Sequence, residues 1–307
     1  MSPTEPLAAK TERRTAALEL LACPSCRGRL TVERAEVRCE CGLRFDVVGG
    51  IPVLVVGPSE VARRQAEWFD DEVDAEWEIE RPHGAPALHR WLLEEKFRRA
   101  VEGIELREAT VVAVCAGSGM DAELLARAGA RVVAVDVSLG AAQRATERAR
   151  RHGFELFAVV ADAARLPFCD ASVDVLFVHD GLHHLEDPFV GLAEMTRVAR
   201  SAVSVSEPAR ARITALAARA GLALEREESG NRVGRLDAGA VGTELRRSGF
   251  QVVRSQRYGM YYGHEPGRLV RFLSRRGLFT AATAAFRLAN AVGGRVGNKL
   301  AVVAVRS

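Results

Sequence analysis

The chain has 307 residues, 48% of them hydrophobic and 27% charged, with a net charge of +3: an ordinary soluble composition, long enough for an α/β core plus a smaller module. No apolar run approaches the ~20 residues of a membrane span, and the first residues, MSPTEPLAAKTERR, lack the apolar stretch of a secretory signal. A cytoplasmic location is therefore expected, where six cysteines point to metal ligands or core residues rather than disulfides. The charge is uneven: residues 201–307 hold 18 Lys+Arg against 7 Asp+Glu, while residues 1–200 hold 25 against 33. A basic C-terminal third suits an anionic substrate, a nucleic acid or a membrane surface; an arginine-rich solvated surface explains it equally.

In chain order, residues 1–19 read as a polar arm. Residues 20–57 form a compact module in which Cys23-Pro24-Ser25-Cys26 is followed, after twelve further residues, by Cys39 and Cys41. Short strands at 30–32 and 36–38 join the two knuckles. Four thiolates on two turns suit a tetrahedral structural zinc, which substitutes for a core too small to fold alone. The second knuckle is C-x-C, tighter than the usual C-x-x-C. The ribbon itself is nearly neutral, with five Arg against four acids over residues 21–57, a poor footprint for RNA. Residues 58–107 read as a helical bridge. One helix carries Val61, Trp68 and Phe69, a break falls at 81–86, and a second helix carries Leu88, Trp91, Leu92 and Phe97.

Residues 108–307 hold the chemistry. Thr110 to Ser138 reads as strand, small-residue turn, helix, strand and terminal acid, the order of a nucleotide-binding βαβ unit. Gly117 and Gly119 let backbone approach a ligand where a Cβ would clash, and the free N–H groups of the next helix can meet its polar groups. Asp136, ending the second strand, can accept from both ribose hydroxyls. A third strand ends at Asp162. After it come Leu166-Pro167-Phe168, a fourth strand over 175–178, and His179-Asp180-Gly181-Leu182-His183-His184-Leu185.

Together these blocks resemble the class I S-adenosylmethionine-dependent methyltransferases, especially the small-molecule members of the ubiquinone/menaquinone-biosynthesis type, over residues 105–210. The N-terminal segment LLACPSCRGRL…RCECGLRFDVVGGIPVLV resembles the zinc ribbon of the small activator subunit of tRNA and protein methyltransferases. It also resembles the zinc module of large-subunit rRNA guanine-N1 methyltransferases. The resemblance implies a Rossmann-like α/β fold with seven strands in the order 3-2-1-4-5-7-6, the last antiparallel. It implies S-adenosylmethionine lined by Cys115, Ala116, Gly117, Gly119, Asp121, Asp136, Val137, Asp162, Ala163, His179 and Asp180. One departure stands at the first turn. Ala113 occupies the place of the family's acid and Cys115 that of its first glycine, so Asp121, Asp180 or nearby backbone must hold the cofactor's amino-acid end.

Methyl transfer needs an aligned nucleophile in a dry site and, for an alcohol, phenol or ammonium acceptor, a base. His183, His179 and His264 are the candidate bases. Further on, a helix over 189–198, a fifth strand over 202–206, helices over 210–221 and 236–248, a sixth strand over 251–258 and a terminal strand over 299–305 are expected. Residues 259–297 then fall between the last two strands as a substrate cap carrying Tyr261, Tyr262, His264, Arg268 and Arg271. Arg268 and Arg271 share a helix face and could clamp an anion. The favoured reading is a small-molecule methyltransferase with a structural zinc and an anionic or hydroxylated acceptor. The alternatives are an RNA methyltransferase gripping its substrate through the ribbon, and a non-catalytic cofactor-binding partner. The neutral ribbon and the absence of N-P-P-Y or D-P-P-Y after strand four weigh against RNA. Oligomeric state is not encoded in any of these patterns.

Overall fold

A computed structural model describes residues 17–33, 35–210, 235–261 and 265–307. The helix expected over 210–221 and the side chains of Tyr262 and His264 lie outside them. Two sheets organise the rest. The small one is an antiparallel meander of β1 (Leu30–Val32), β2 (Glu36–Cys39), β3 (Arg44–Val48) and β4 (Ile51–Pro52). The large one contains β5 (Thr110–Val114), β6 (Arg131–Asp136), β7 (Phe157–Val160), β8 (Val173–His179), β9 (Ala199–Pro208), β10 (Phe250–Tyr258) and β11 (Lys299–Arg306).

Its order is β10-β11-β9-β8-β5-β6-β7, with β5 to β9 parallel and β11 antiparallel to both neighbours. The expected seven-stranded α/β arrangement is present. The central strands are apolar on both faces because helices cover both sides: Val111, Val112, Val135, Val159, Leu176 and Val178 are fully buried.

The helices are α1 (Glu60–Asp71), α2 (Ala75–Glu80), α3 (Ala87–Ala100), α4 (Met120–Arg127), α5 (Leu139–His152), α6 (Pro188–Val198), α7 (Ala238–Arg247), α8 (Arg268–Leu273) and α9 (Phe279–Gly293). Where one helix is expected ahead of the break at 81–86, two are found. Asp74 starts the second by accepting from Glu76 N and Trp77 N at 3.0 and 3.1 Å, which satisfies two of the donors a new helix leaves open.

The cysteine module is annexed to the large sheet. Leu54 N donates to Val160 O at 2.7 Å, Val53 bridges Val160, and Ala22 N donates to Pro167 O at 2.9 Å. Cys23, Val37, Phe45 and Leu54 share one apolar cluster with Val112, Val133, Val159 and Phe168. The ribbon thus borrows its core from the edge of the larger domain, where the sequence alone pointed to a module folding on its metal.

The helices ahead of β5 are held by two buried arginines of α5. Arg144 donates to Ser118 Oγ at 3.0 Å and to Phe69 O at 2.5 Å. Arg148, with a fully buried side chain, donates to Ser118 O at 2.9 Å, Glu78 O at 2.6 Å and Arg81 O, and pairs with Glu123 at 3.0 Å. Its charge is compensated by Glu123, itself held below the usual carboxylate range by Arg127, His83 and Arg148 against the opposing cost of burial. Removing one partner of such a pair strands the other. Arg148→Met should therefore lower the unfolding free energy by about 3–5 kcal/mol, measured by urea denaturation against the wild type.

Candidate cofactor pocket

The turn after β5 is built from unusual backbone. Cys115, Gly117 and Gly119 all have positive φ, at 52°, 51° and 81°. At Gly119 the reason is packing: an added Cβ would stand 2.9 Å from Ala145 Cβ, so glycine lets α5 close onto the turn. At Gly117 an added Cβ would meet nothing within 4 Å; the space before this turn is open. Cys115 is non-glycine in the left-handed region, and strain of this kind persists only where the surroundings fix it. Gly181 supplies that restraint: its missing Cβ would fall 2.4 Å from Cys115 Cβ, so the loops after β5 and β8 meet in direct contact.

In front of the turn lies a cavity of about 280 Å³. Its floor is Cys115, Asp136, Val137, Ala161, Asp162, Ala163 and Ala164; one wall is His184 to Asp187 with Val190; the other is Ser59, Ala62, Gln65 and Phe69 of the α1 region. Asp136 accepts from Gly117 N at 2.8 Å and Ser138 N at 3.0 Å, and burial pushes its carboxyl above the ordinary value despite these bonds. Asp162 caps its own turn, accepting from Ala164 N at 2.8 Å. Gln65 is 4% exposed, and neither amide atom has a hydrogen-bond partner. A buried primary amide left unpaired is costly, and this one lines a cavity. α1 is fixed over the cavity by Asp70, which accepts from Ser138 Oγ at 2.6 Å and Gly140 N at 2.7 Å.

Among the residues expected around a cofactor, Cys115, Asp136, Val137, Asp162 and Ala163 line this cavity, and Ala116, Gly117 and Gly119 form the turn behind it. Asp121, His179 and Asp180 are gathered elsewhere, into a buried charge network. His179 Nδ1 lies 3.0 Å from both Asp121 oxygens, and Asp180 pairs with Lys96 at 3.1 Å and with Lys299. Burial lowers the imidazole of His179 and, against the pull of Asp180, brings the Lys299 ammonium down to about 8. The two lysines, with His179, hold Asp180 well below the usual carboxylate range in spite of burial.

His183 is buried beside this network, its Nδ1 2.6 Å from Glu207, which also accepts from Gly181 N and Leu182 N at 2.9 and 2.8 Å. Burial opposes ionisation of Glu207, but His183 wins and holds its carboxyl below the ordinary value. Of the histidine pair, it is His184 that faces the cavity. Tyr261 is exposed and engaged with Gly267 N and Glu265 O. Arg268 and Arg271 lie on the exposed side of α8.

Gln65, Glu207, Lys96 and Lys299 escaped the sequence reading. One signal was present for the lysines. The chain has 43 Lys+Arg but only three lysines, and two of the three meet on one carboxylate. Nothing local marked Gln65, one polar residue among the charged and apolar residues of its helix.

The four cysteines of the ribbon converge. Their sulfurs all lie within 4.8 Å of one another, with Cys26–Cys39 at 3.4 Å and Cys23–Cys41 at 3.9 Å. A tetrahedron of sulfurs about 2.3 Å from a zinc has edges of about 3.8 Å. The C-x-C knuckle therefore brings both its thiols to the site. Gly28 N and Cys41 N point to Cys26 Sγ and Cys39 Sγ at 3.3 and 3.5 Å, the backbone support that such thiolates need.

Residues 112–205 match a family model described as a methyltransferase domain, which bears out the resemblance carried by the same strands and turns. The demethylmenaquinone methyltransferase of Thermobifida fusca (strain YX) is 37% identical over 108 residues, 31% of this chain and 45% of that protein. That of Renibacterium salmoninarum is 40% identical over 90 residues, 29% of this chain and 36% of that protein. The chain thus spans less than half the length of these curated relatives. Among solved structures, the magnesium protoporphyrin IX methyltransferase of Synechocystis PCC 6803 with bound SAH superposes with a TM-score of 0.56. It covers 81% of this chain and 100% of that one at 16% identity, a likeness of fold.

The buried network makes its own demand. Asp180→Asn leaves Lys299 buried without its anion, so the ammonium deprotonates below its present value of about 8. Unfolding free energy at neutral pH should fall by about 3–5 kcal/mol. The sign follows from linkage: the unfolded chain holds the lysine proton in both proteins, and above a pH of about 8 the folded lysine is neutral in both. Only the part of the deficit that belongs to this proton, about 1.4 kcal/mol per pH unit between neutrality and that value, should close as the pH rises through it, read from urea titrations at several pH values; the rest should persist.

Proposed function

We propose that the protein is an S-adenosylmethionine-dependent methyltransferase acting on a small-molecule acceptor, with a structural zinc in its N-terminal ribbon. The observation that carries the reading is the cavity of about 280 Å³ in which the carboxylates at the ends of two adjacent parallel strands, Asp136 and Asp162, stand beside a glycine turn. The residues fit the cofactor. Gly117 leaves open space before the turn, Asp136 is an acceptor for ribose hydroxyls, and Val137 and Leu185 offer apolar walls. The unpaired amide of Gln65 supplies a donor and an acceptor. The match to demethylmenaquinone methyltransferases supports a small molecule as acceptor.

When bound, the sulfonium supplies the methyl group and the driving force for an in-line displacement. The protein's share is placement, exclusion of water and disposal of a proton. The α1 region, latched by Asp70 and Arg144, closes one side of the cavity. For an acceptor that loses a proton, the base proposed is His183, which Glu207 orients next to His184, the histidine that lines the cavity. Glu207 is ionised and already accepts from two backbone N–H groups, so the His183 Nδ1 facing it carries a proton. The basic lone pair is then at Nε2, the arrangement in which a carboxylate orients a histidine base. Cys115 takes no part as a nucleophile in this scheme. Burial and the nearby carboxylates of Asp136, Glu207 and Asp162 push its thiol well above the ordinary value, so the reactive thiolate is suppressed.

Calorimetry with S-adenosylmethionine and S-adenosylhomocysteine tests the assignment. Asp136→Asn should weaken both by about tenfold, the loss of charge-assisted hydrogen bonds; unchanged affinity would remove the ribose role. Because burial raises the Asp136 carboxyl, the ionised acceptor is lost as the pH falls through that raised value. Affinity should therefore decline in mildly acidic solution, before an ordinary carboxylate would titrate. For the metal, elemental analysis should find one zinc per chain. Since the ribbon shares its apolar cluster with β5 to β7, chelation should lower the melting temperature of the whole protein and leave no independently stable cofactor domain.

A further inference from the structure

The segment between β10 and β11 carries a surface that the chemistry above leaves unused. Residues 266–298 contain six arginines and no acid. α8 and α9 pack their inner sides on the same support: Val270, Leu273, Phe279, Ala282 and Phe286 join Leu88, Trp91 and Leu92 of α3. Their outer sides are also apolar. Leu269 is 68% exposed, Phe272 48%, Leu288 66% and Val292 83%.

α9, FTAATAAFRLANAVG, has a single charged residue. A helix apolar all round is normally buried on all sides, yet Ala281, Ala285, Leu288 and Val292, one stripe at helical spacing, face solvent. Exposed apolar side chains this concentrated mark a contact surface. The arginines beside them have no acid to meet, although Arg271 Nε donates to Pro266 O at 2.9 Å. Among the described residues, Arg268, Arg271, Arg275, Arg276 and Arg287 form no ion pair. Arg275 and Arg287 instead lie over the rings of Phe272 and Trp91 at 5.1 and 5.4 Å.

We propose that the outer side of α8 and α9 docks on an anionic lipid surface, the apolar stripe entering the headgroup boundary and the arginines meeting lipid phosphates. The combination of exposed aliphatic and aromatic side chains with cations of one sign is what an interfacial helix needs. α9, at 15 residues, is too short to span a bilayer, and no described helix is long and apolar enough to do so. A second copy of this chain fits less well, since pairing the same face with itself would bring the arginines together without an acid to meet them.

The test is flotation of the full-length protein with vesicles of phosphatidylcholine, with and without phosphatidylglycerol. The expected result is binding to the phosphatidylglycerol vesicles alone, weakened by added salt as the surface attraction is screened. Arg275→Gln with Arg276→Gln should lower the partition coefficient roughly fivefold for each arginine removed. Leu288→Glu with Val292→Glu, at exposed positions, should lower it by about tenfold or more while the melting temperature and cofactor affinity stay at wild-type values. No flotation with phosphatidylglycerol at low salt would overturn the proposal. So would equal binding by the Leu288→Glu, Val292→Glu variant, or a dimer in sedimentation that this variant dissolves.

Discussion

Arg148 is the point on which the cofactor half of the molecule turns. Its guanidinium sits where α5, the glycine turn, α4 and the segment from α2 to α3 converge, and it satisfies a different element with each bond. No apolar side chain could do this, because three of its partners are backbone carbonyls left over at the ends of other elements. A buried cation tolerates such a position only with an anion at hand, and Glu123 supplies it from the first turn of α4. The same carboxylate also receives Arg127 and His83, so the charge is shared among four groups. The glycine turn can therefore be held open toward solvent on one side because it is bonded so firmly on the other.

A second constraint governs the loops after β5 and β8. Cys115 and Gly181 touch so closely that one residue had to lack a side chain and the other had to accept left-handed backbone. That contact sets the distance between the cavity holding Asp136 and Asp162 and the polar cluster of Asp180, His183 and Glu207. The two sites share a wall. A change in either loop moves both, so the positioning of the cofactor and the handling of a proton are mechanically joined.

Much of this was legible in the sequence. The glycine turn, the two acids and the four cysteines all depend on local signals: small residues at a turn, an acid at a strand end, C-x-x-C spacing; the order of the sheet came only with the family resemblance. The residues that escaped depend on long-range contact. Lys96 and Lys299 are more than two hundred residues apart in sequence and meet only because α3 and β11 flank the same strand ends. Glu207 read as the end of a strand; its three donors come from a loop about 25 residues earlier. The roof arginines were legible as a charge excess, but not where they face. Arg268 and Arg271 share a helix face as their spacing requires, and that face is the exposed one. The periodicity of an amphipathic helix identifies a stripe, not its neighbour.

The joint between the ribbon and β7 has a consequence for how the protein would fail. β7 ends the large sheet, and a terminal strand with open hydrogen-bonding groups invites pairing with other chains. Residues 53 and 54 occupy that position, and the apolar side of the small sheet is continuous with the core behind it. The four thiols secure the small sheet from its far end. Oxidation or loss of metal there would act like drawing a bolt from a hinge. The first damage would be an uncovered β-edge with Phe157 and Val159 beside it, and the first visible symptom would be self-association.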